Sequence, residues 1–224
     1  DSFTPQIPLG ALRDLIQVEK KADTLFDPRS LEESGELVVL GQFMSSYILA
    51  EGKDGLYIID QHAAHERLLF EQFLTQSQKA PLTSQALLFP ITLDFPPDEV
   101  GLVDEISGLL KSIGFTIELF GERTYVVRSI PATLEIDEAE QFIKDFLGEV
   151  RHESSASENR EKALHTLACR AAVKFGDVLS HAEMEGIIRG LKKIPRRNVC
   201  PHGRPAILFV AEPALQKAFK RTGF

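Results

Sequence analysis

The sequence predicts a mixed α/β (α+β) fold made of two subdomains, one inserted into the other. Three observations carry this. Short apolar runs alternate with longer stretches at helical spacing. Their order is irregular and shows no internal repeat. The candidate ligands singled out below lie before residue 72 and after residue 168, and the stretch 86–157 contributes none of them. Residues 33–85 and 158–224 are therefore expected to form an outer α/β subdomain interrupted by an inserted one over 86–157. Residues 1–32 read as a linker with one short helix around Ala11–Lys21.

Each element follows from a local signal. Glu36–Gln42 and Tyr47–Glu51 read as strands with Gly41 between them, and Glu51-Gly52-Lys53-Asp54-Gly55 is turn chemistry leading into strand Leu56–Ile59. A helix follows from Gln61 to Gln76, with Leu68, Leu69 and Phe73 on its apolar side. Leu87–Phe95 reads as a strand. Pro96-Pro97-Asp98 then opens a helix that ends near Gly114. Phe115–Phe120 and Tyr125–Ile130 pair across Gly121-Glu122-Arg123, and Asp137 starts a helix with Phe142, Ile143, Phe146 and Leu147 apolar. Ser154-Ser155-Ala156-Ser157 reads as a polar linker before a helix from Glu158 to Phe175. Ser180-His181-Ala182-Glu183 has the spacing of a capping box. Ala206–Val210 reads as a buried strand, and Glu212–Arg221 as a terminal helix.

The chain has 224 residues, 43% of them hydrophobic, enough for one large core or two small ones. No apolar run approaches the roughly 20 residues that span a bilayer. A polar start without Met and without a basic lead predicts a piece of a longer, cytoplasmic protein. Two cysteines beside His or Arg fit a reduced compartment better than a disulfide framework.

Chemistry concentrates in two patches. Asp60 stands at a strand end, and His62 and Glu66 sit four residues apart on one helical face. Far downstream, Cys200 and His202 share a Gly/Pro loop, a pair that favours borderline-soft metals. With Cys169 they make a mixed N/S/O set (His62, Glu66, Cys169, Cys200, His202) suited to one or two Zn2+ or Mn2+ ions. Asp60 is then placed to orient or deprotonate a water. Read singly, Asp60 is as readily a helix cap, His62–Glu66 a surface pair and Cys169 a core residue.

Net charge is −8, which argues against a general nucleic-acid binder, yet residues 186–224 carry nine Lys/Arg and one acid. Lys192, Lys193, Arg196 and Arg197 in that segment are candidates to hold a phosphate backbone locally.

Asp60-Gln61-His62-Ala63-x-x-Glu66-x-x-x-x-Glu71 resembles the endonuclease signature of the MutL family of mismatch-repair proteins. Gly41-Gln42, Ala168-Cys169-Arg170, Cys200-Pro201-His202-Gly203-Arg204-Pro205 and Phe219-Lys220-Arg221 agree in order, so the resemblance covers roughly residues 33–224. It implies a C-terminal domain that forms a homodimer through the outer subdomain and nicks one strand of double-stranded DNA. The inserted subdomain would be regulatory, and ATP would enter only through an N-terminal domain outside this sequence. The resemblance makes Asp60 essential for cleavage, with Glu66 both catalytic and metal-binding. His62, Cys169, Cys200 and His202 would complete the metal set, with Gln61, Glu71, Arg170 and Arg204 in support. Gln85-Ala86-Leu87-Leu88-Phe89-Pro90 resembles the segment by which such nucleases dock on the β sliding clamp, with Gln85, Leu87, Leu88 and Pro90 as its contacts. A MutS-type mismatch sensor would be a partner of the full-length protein. Two rivals remain open at this stage: a matchmaking dimer with a structural zinc, and an oxidised form joining Cys169 to Cys200.

Overall fold

The computed structural model describes Leu31 and residues 34–150, 155–195 and 198–221. Apart from Leu31, the linker expected over 1–32 and its helix around Ala11–Lys21 lie outside the described residues, as do Arg196 and Arg197. The fold is mixed α+β with two separate antiparallel sheets. It divides into two compact units. The first comprises the described residues up to Ala64, Phe175–Val199 and Arg204 onward; the second comprises His65–Lys174 with Cys200–Gly203.

In the first unit, β1 (Val38–Phe43), β2 (Tyr47–Gly52), β3 (Gly55–Asp60) and β7 (Ile207–Ala211) lie side by side in that order. The period-2 pattern sorts their side chains. Ile48, Ile59 and Ile207 stand in register on the buried face, with Ala50, Tyr57 and Phe209 as the next row. Tyr57 and Phe209 meet at 4.8 Å between ring centroids. The opposite face carries Leu49, Ile58 and Leu208 in register and stays partly open. Gly55 closes the β2–β3 hairpin at a position only glycine tolerates, because a Cβ there would meet the Val210 carbonyl oxygen at 2.2 Å. Helix α5 (His181–Leu191) packs against β1 and buries Met184, Ile187, Ile188 and Leu191. The expected capping box forms there, with Glu183 N–H donating to Ser180 Oγ and Ser180 N–H to Glu183. The terminal helix α6 spans only Glu212–Ala218, and Lys220 beyond it has φ +54°.

In the second unit, β4 (Ser84–Asp94), β6 (Thr124–Pro131) and β5 (Thr116–Leu119) form a sheet with β6 central. Helices α2 (Pro97–Ser112), α3 (Ala139–Val150) and α4 (Ala156–Ala171) join most of α1 (Gln61–Ser77) here. Phe115 stacks on Phe142 at 4.9 Å, and Val103, Leu110, Ile143, Phe146, Leu164 and Leu167 fill the core around them. Two expectations for α4 are corrected. Ser155, read as linker, is its N-cap in a second full capping box with Glu158. The helix also stops at Ala171 rather than Phe175. Ala172 turns extended (ψ 148°), and Val173 N–H donates to His65 Nδ1 instead of continuing the helical ladder.

Candidate metal centre

Three pieces of the second unit converge. Helix α1 brings Glu66, whose side chain is only 3% exposed. Helix α4 brings His165 and Cys169, four residues apart and so on one face. The third piece is the Cys200–Gly203 turn. Pro201 fixes φ at its second position, Gly203 takes the positive φ of +82°, and Gly203 N–H closes the turn onto Cys200 O at 2.9 Å. The turn presents His202.

Glu66 Oε1 is the meeting point. It accepts from Cys169 Sγ at 2.6 Å and stands 3.2 Å from His202 Nδ1 and 3.6 Å from His165 Nε2. One ligand-type atom from each of these four residues lies within 4.8 Å of all the others. Burial, reinforced by the bond to Glu66, pushes the Cys169 thiol up to about 12. Burial, with the neighbouring His202, holds His165 below the usual imidazole range. The residues fit the zinc that the MutL resemblance implies. One sulfur, two imidazole nitrogens and one carboxylate are zinc donors. His165 Nε2 is also buried without a hydrogen-bond partner among the described residues.

Of the five expected ligands, this group contains Glu66, Cys169 and His202. Cys200 lies next to it in the turn, buried, with Sγ 3.8 Å from His202 Nδ1. His62 belongs to the first unit, half-buried, its ring 5.9 Å from that of Phe175. Asp60 ends β3 and caps α1, one carboxylate oxygen accepting Ala63 N–H at 2.9 Å. His165 was missed by sequence reading, although His165-x-x-x-Cys169 repeats the spacing that drew attention to His62 and Glu66.

The supporting residues divide by what they hold. Gln61, fully buried, donates to Ser45 O and Asp177 O and accepts from Gln42, which itself donates to Asp177 O. The Gly41-Gln42 and Asp60-Gln61 motifs thus act together to fasten the β1–β2 turn and the 177–179 loop to the head of α1. Glu71 forms an ion pair with Arg67 at 3.1 Å, and Arg67 Nη2 donates to Cys200 O at 2.9 Å. Arg67, absent from the expected set, is 5% exposed and links Glu71 to the turn that carries His202. Arg170 pairs with Glu138 and Asp145, tying α4 to the turn before α3 and to α3 itself. Burial pushes Asp145 up, but its bonds from Arg170 and Gln141 outweigh this and hold its carboxyl below the ordinary range. Arg204 is exposed.

Gln85 donates to Leu134 O at 2.9 Å, so its amide is engaged within the unit. Beyond it, β4 runs five residues from Ala86 to Ile91 while β6 runs two, from Ser129 to Val127, so Leu87–Pro90 leave the ladder. Leu88 is 87% and Phe89 81% exposed there. In the first unit, Lys192 and Lys193 follow α5, Lys193 exposed and Lys192 donating to Gly35 O. No helix among the described residues is long and apolar enough to cross a membrane.

Comparison with known proteins points to one family. The family model described as the MutL C terminal dimerisation domain matches residues 40–179. A DNA mismatch repair protein MutL of Symbiobacterium thermophilum is 36% identical over 210 residues, covering 89% of this chain and 33% of that protein. The MutL of Heliobacterium modesticaldum is 39% identical over 192 residues, 84% of this chain and 29% of the relative. That of Clostridium botulinum strain Kyoto is 37% identical over 188 residues, 83% and 28% respectively. The chain thus spans about a third or less of the length of the curated relatives it matches. With more than half its length matched by the family model and a relative 36% identical over 89% of it, the chain belongs to the MutL C-terminal dimerisation domain family.

Proposed function

We propose that this chain is the dimerising, nicking part of a cytoplasmic DNA mismatch-repair protein, cutting one strand of duplex DNA without reading its sequence. The observation that carries the reading is the convergence of Glu66, His165, Cys169 and His202 on one small volume, next to Cys200. One or two divalent ions, zinc or manganese, shared among His62, Glu66, Cys169, Cys200 and His202 would supply Lewis acidity toward a phosphodiester. The chain's own residues do the rest. Asp60 orients the attacking water. Arg67 and Glu71 hold the Cys200–Gly203 turn in place. Lys192, Lys193, Arg196, Arg197 and Arg204 bind backbone phosphates, and nothing in the chain points to base readout.

Three partners follow. A second copy covers the apolar row Leu49, Ile58 and Leu208 together with exposed Val38 and Leu40. The β sliding clamp takes Leu87, Leu88 and Pro90, which the looped-out stretch of β4 offers together with Phe89. A MutS-type sensor and the ATP-binding domain act through the rest of the longer protein, and the interior segment 86–157 is the regulatory part. The test is nicking of supercoiled plasmid by the purified chain with manganese, with and without clamp and clamp loader. Open-circular product is expected, more of it with the clamp. Its absence under every condition, at full metal loading, would overturn the nuclease reading.

A second reading, a matchmaking dimer with a structural zinc, is favoured by one fact. Four protein donors already suffice for a closed tetrahedral shell. It predicts that chelation lowers the unfolding temperature and that metal-loaded protein never cuts.

A further inference from the structure

We infer that His165 is a protein ligand of the ion held by Glu66, Cys169 and His202, and that it makes this position select zinc over manganese. The inference rests on the metal reading above and adds to it a residue that none of the family-like motifs contains.

The geometry is specific. Zinc bonds of about 2.0–2.3 Å in a tetrahedron require ligand atoms about 3.3–3.8 Å apart. Glu66 Oε1 already stands 3.2 Å from His202 Nδ1 and 3.6 Å from His165 Nε2. The Cys169–Glu66 hydrogen bond, at 2.6 Å, must open, which follows when the thiol loses its proton to become a ligand, and the remaining pairs, all within 4.8 Å, need only close in around the ion. The His165 ring is held in position by Phe70, 6.2 Å away edge-on, and by His202 at 4.1 Å.

An ordinary core histidine would have its ring nitrogens satisfied. His165 Nε2 is instead buried with no hydrogen-bond partner among the described residues, and the 3.6 Å to Glu66 is too long for one. Leaving that atom unsatisfied is costly unless something occupies the space in front of it. Donor chemistry then fixes what the occupant is. Glu66, Cys169 and His202 alone leave an open position that a hard, water-rich ion can use. A second imidazole closes a four-donor N2SO shell, which suits zinc and offers little to manganese, an ion of oxygen ligands and higher coordination number.

The experiment loads the purified chain, its His165→Asn variant and its His165→Cys variant with Co2+, and separately titrates Zn2+ against a competing chelator. The unmutated chain should give an intense tetrahedral d–d band with a thiolate charge-transfer band. His165→Asn should weaken the d–d band, keep the thiolate band, and lower zinc affinity by about 10–100-fold or more while manganese affinity holds. His165→Cys should restore the tetrahedral band and strengthen the thiolate band, which a merely structural role for His165 would not do. Circular dichroism of each variant separates misfolding from ligand loss, and the Cys variant decides the matter if the Asn variant does not fold. Unchanged spectra and zinc affinity in both variants would overturn the inference while leaving the metal reading intact. Failure of the unmutated chain to bind either ion would overturn both. Nicking enters neither readout.

Discussion

Cys169 Sγ donates to Glu66 Oε1 at 2.6 Å, so a thiol on α4 and a buried acid on α1 share one proton. That proton has to leave before the sulfur can bind a metal.

Zinc binding should therefore be steeply pH-dependent. Burial and Glu66 raise the thiol to about 12, so the metal-free chain carries it protonated throughout the neutral range. Metal binds the thiolate, so binding releases a proton and acid opposes it. Apparent zinc affinity should fall by about tenfold per pH unit of acidification for one released proton. Calorimetry in buffers of different ionisation enthalpy would measure the release directly; equal heats in all of them would mean Cys169 is not a ligand.

Asp60→Asn should separate two roles of one residue. Asparagine caps a helix as well as aspartate does, so the bond from Ala63 N–H and the unfolding temperature should survive. Nicking should disappear while metal content stays constant. Plasmid relaxation beside elemental analysis reads both, and unchanged cutting would reduce Asp60 to a cap.

Arg67→Met should loosen the metal-bearing turn. It removes a buried charged donor from Cys200 O and leaves Glu71 without that partner. A cost of about 2 kcal/mol is expected for such a bond, or a fall of about 4–8 °C in unfolding temperature for a chain of this size. Arg67→Lys should recover little, since one ammonium cannot span both acceptors in the geometry of a planar fork. Thermal unfolding with and without zinc checks this, and full stability in Arg67→Met would remove the turn-holding role.

Leu208→Asp should yield monomers. Leu208 sits in the Leu49–Ile58–Leu208 row on the open face of the sheet, 39% exposed, so the charge should disturb an interface rather than the core. Sedimentation velocity distinguishes the two states. A dimer that persists with native circular dichroism would put the interface elsewhere.

How much of this was legible in the sequence depended on whether a signal was local. Short apolar runs bounded by turn residues placed β1 to β3 and β7 within about two residues, because both signals are local. The Ser180 box was visible because apolar Met184, Ile187 and Ile188 follow it. The identical Ser155–Glu158 box was overlooked because polar Asn159-Arg160-Glu161-Lys162 follow, without the apolar run that marks a helix start. His165 lies among Leu164, Leu167 and Ala168, the composition of a packed helix. Only the approach of Glu66 and the Cys200–Gly203 turn, which is tertiary, gives its ring nitrogen something to do. Arg67 was hidden for the same reason, since its acceptor lies 133 residues away in the chain.

The surplus in β4 has an evolutionary consequence. Pairing with β6 resumes cleanly at Ile91 after the excursion that begins past Ala86. Register on either side of Leu87–Pro90 is thus insulated from what those four residues are. Selection on them is free to follow an outside partner, and the stretch can be rewritten or exchanged between relatives without the sheet losing its alignment.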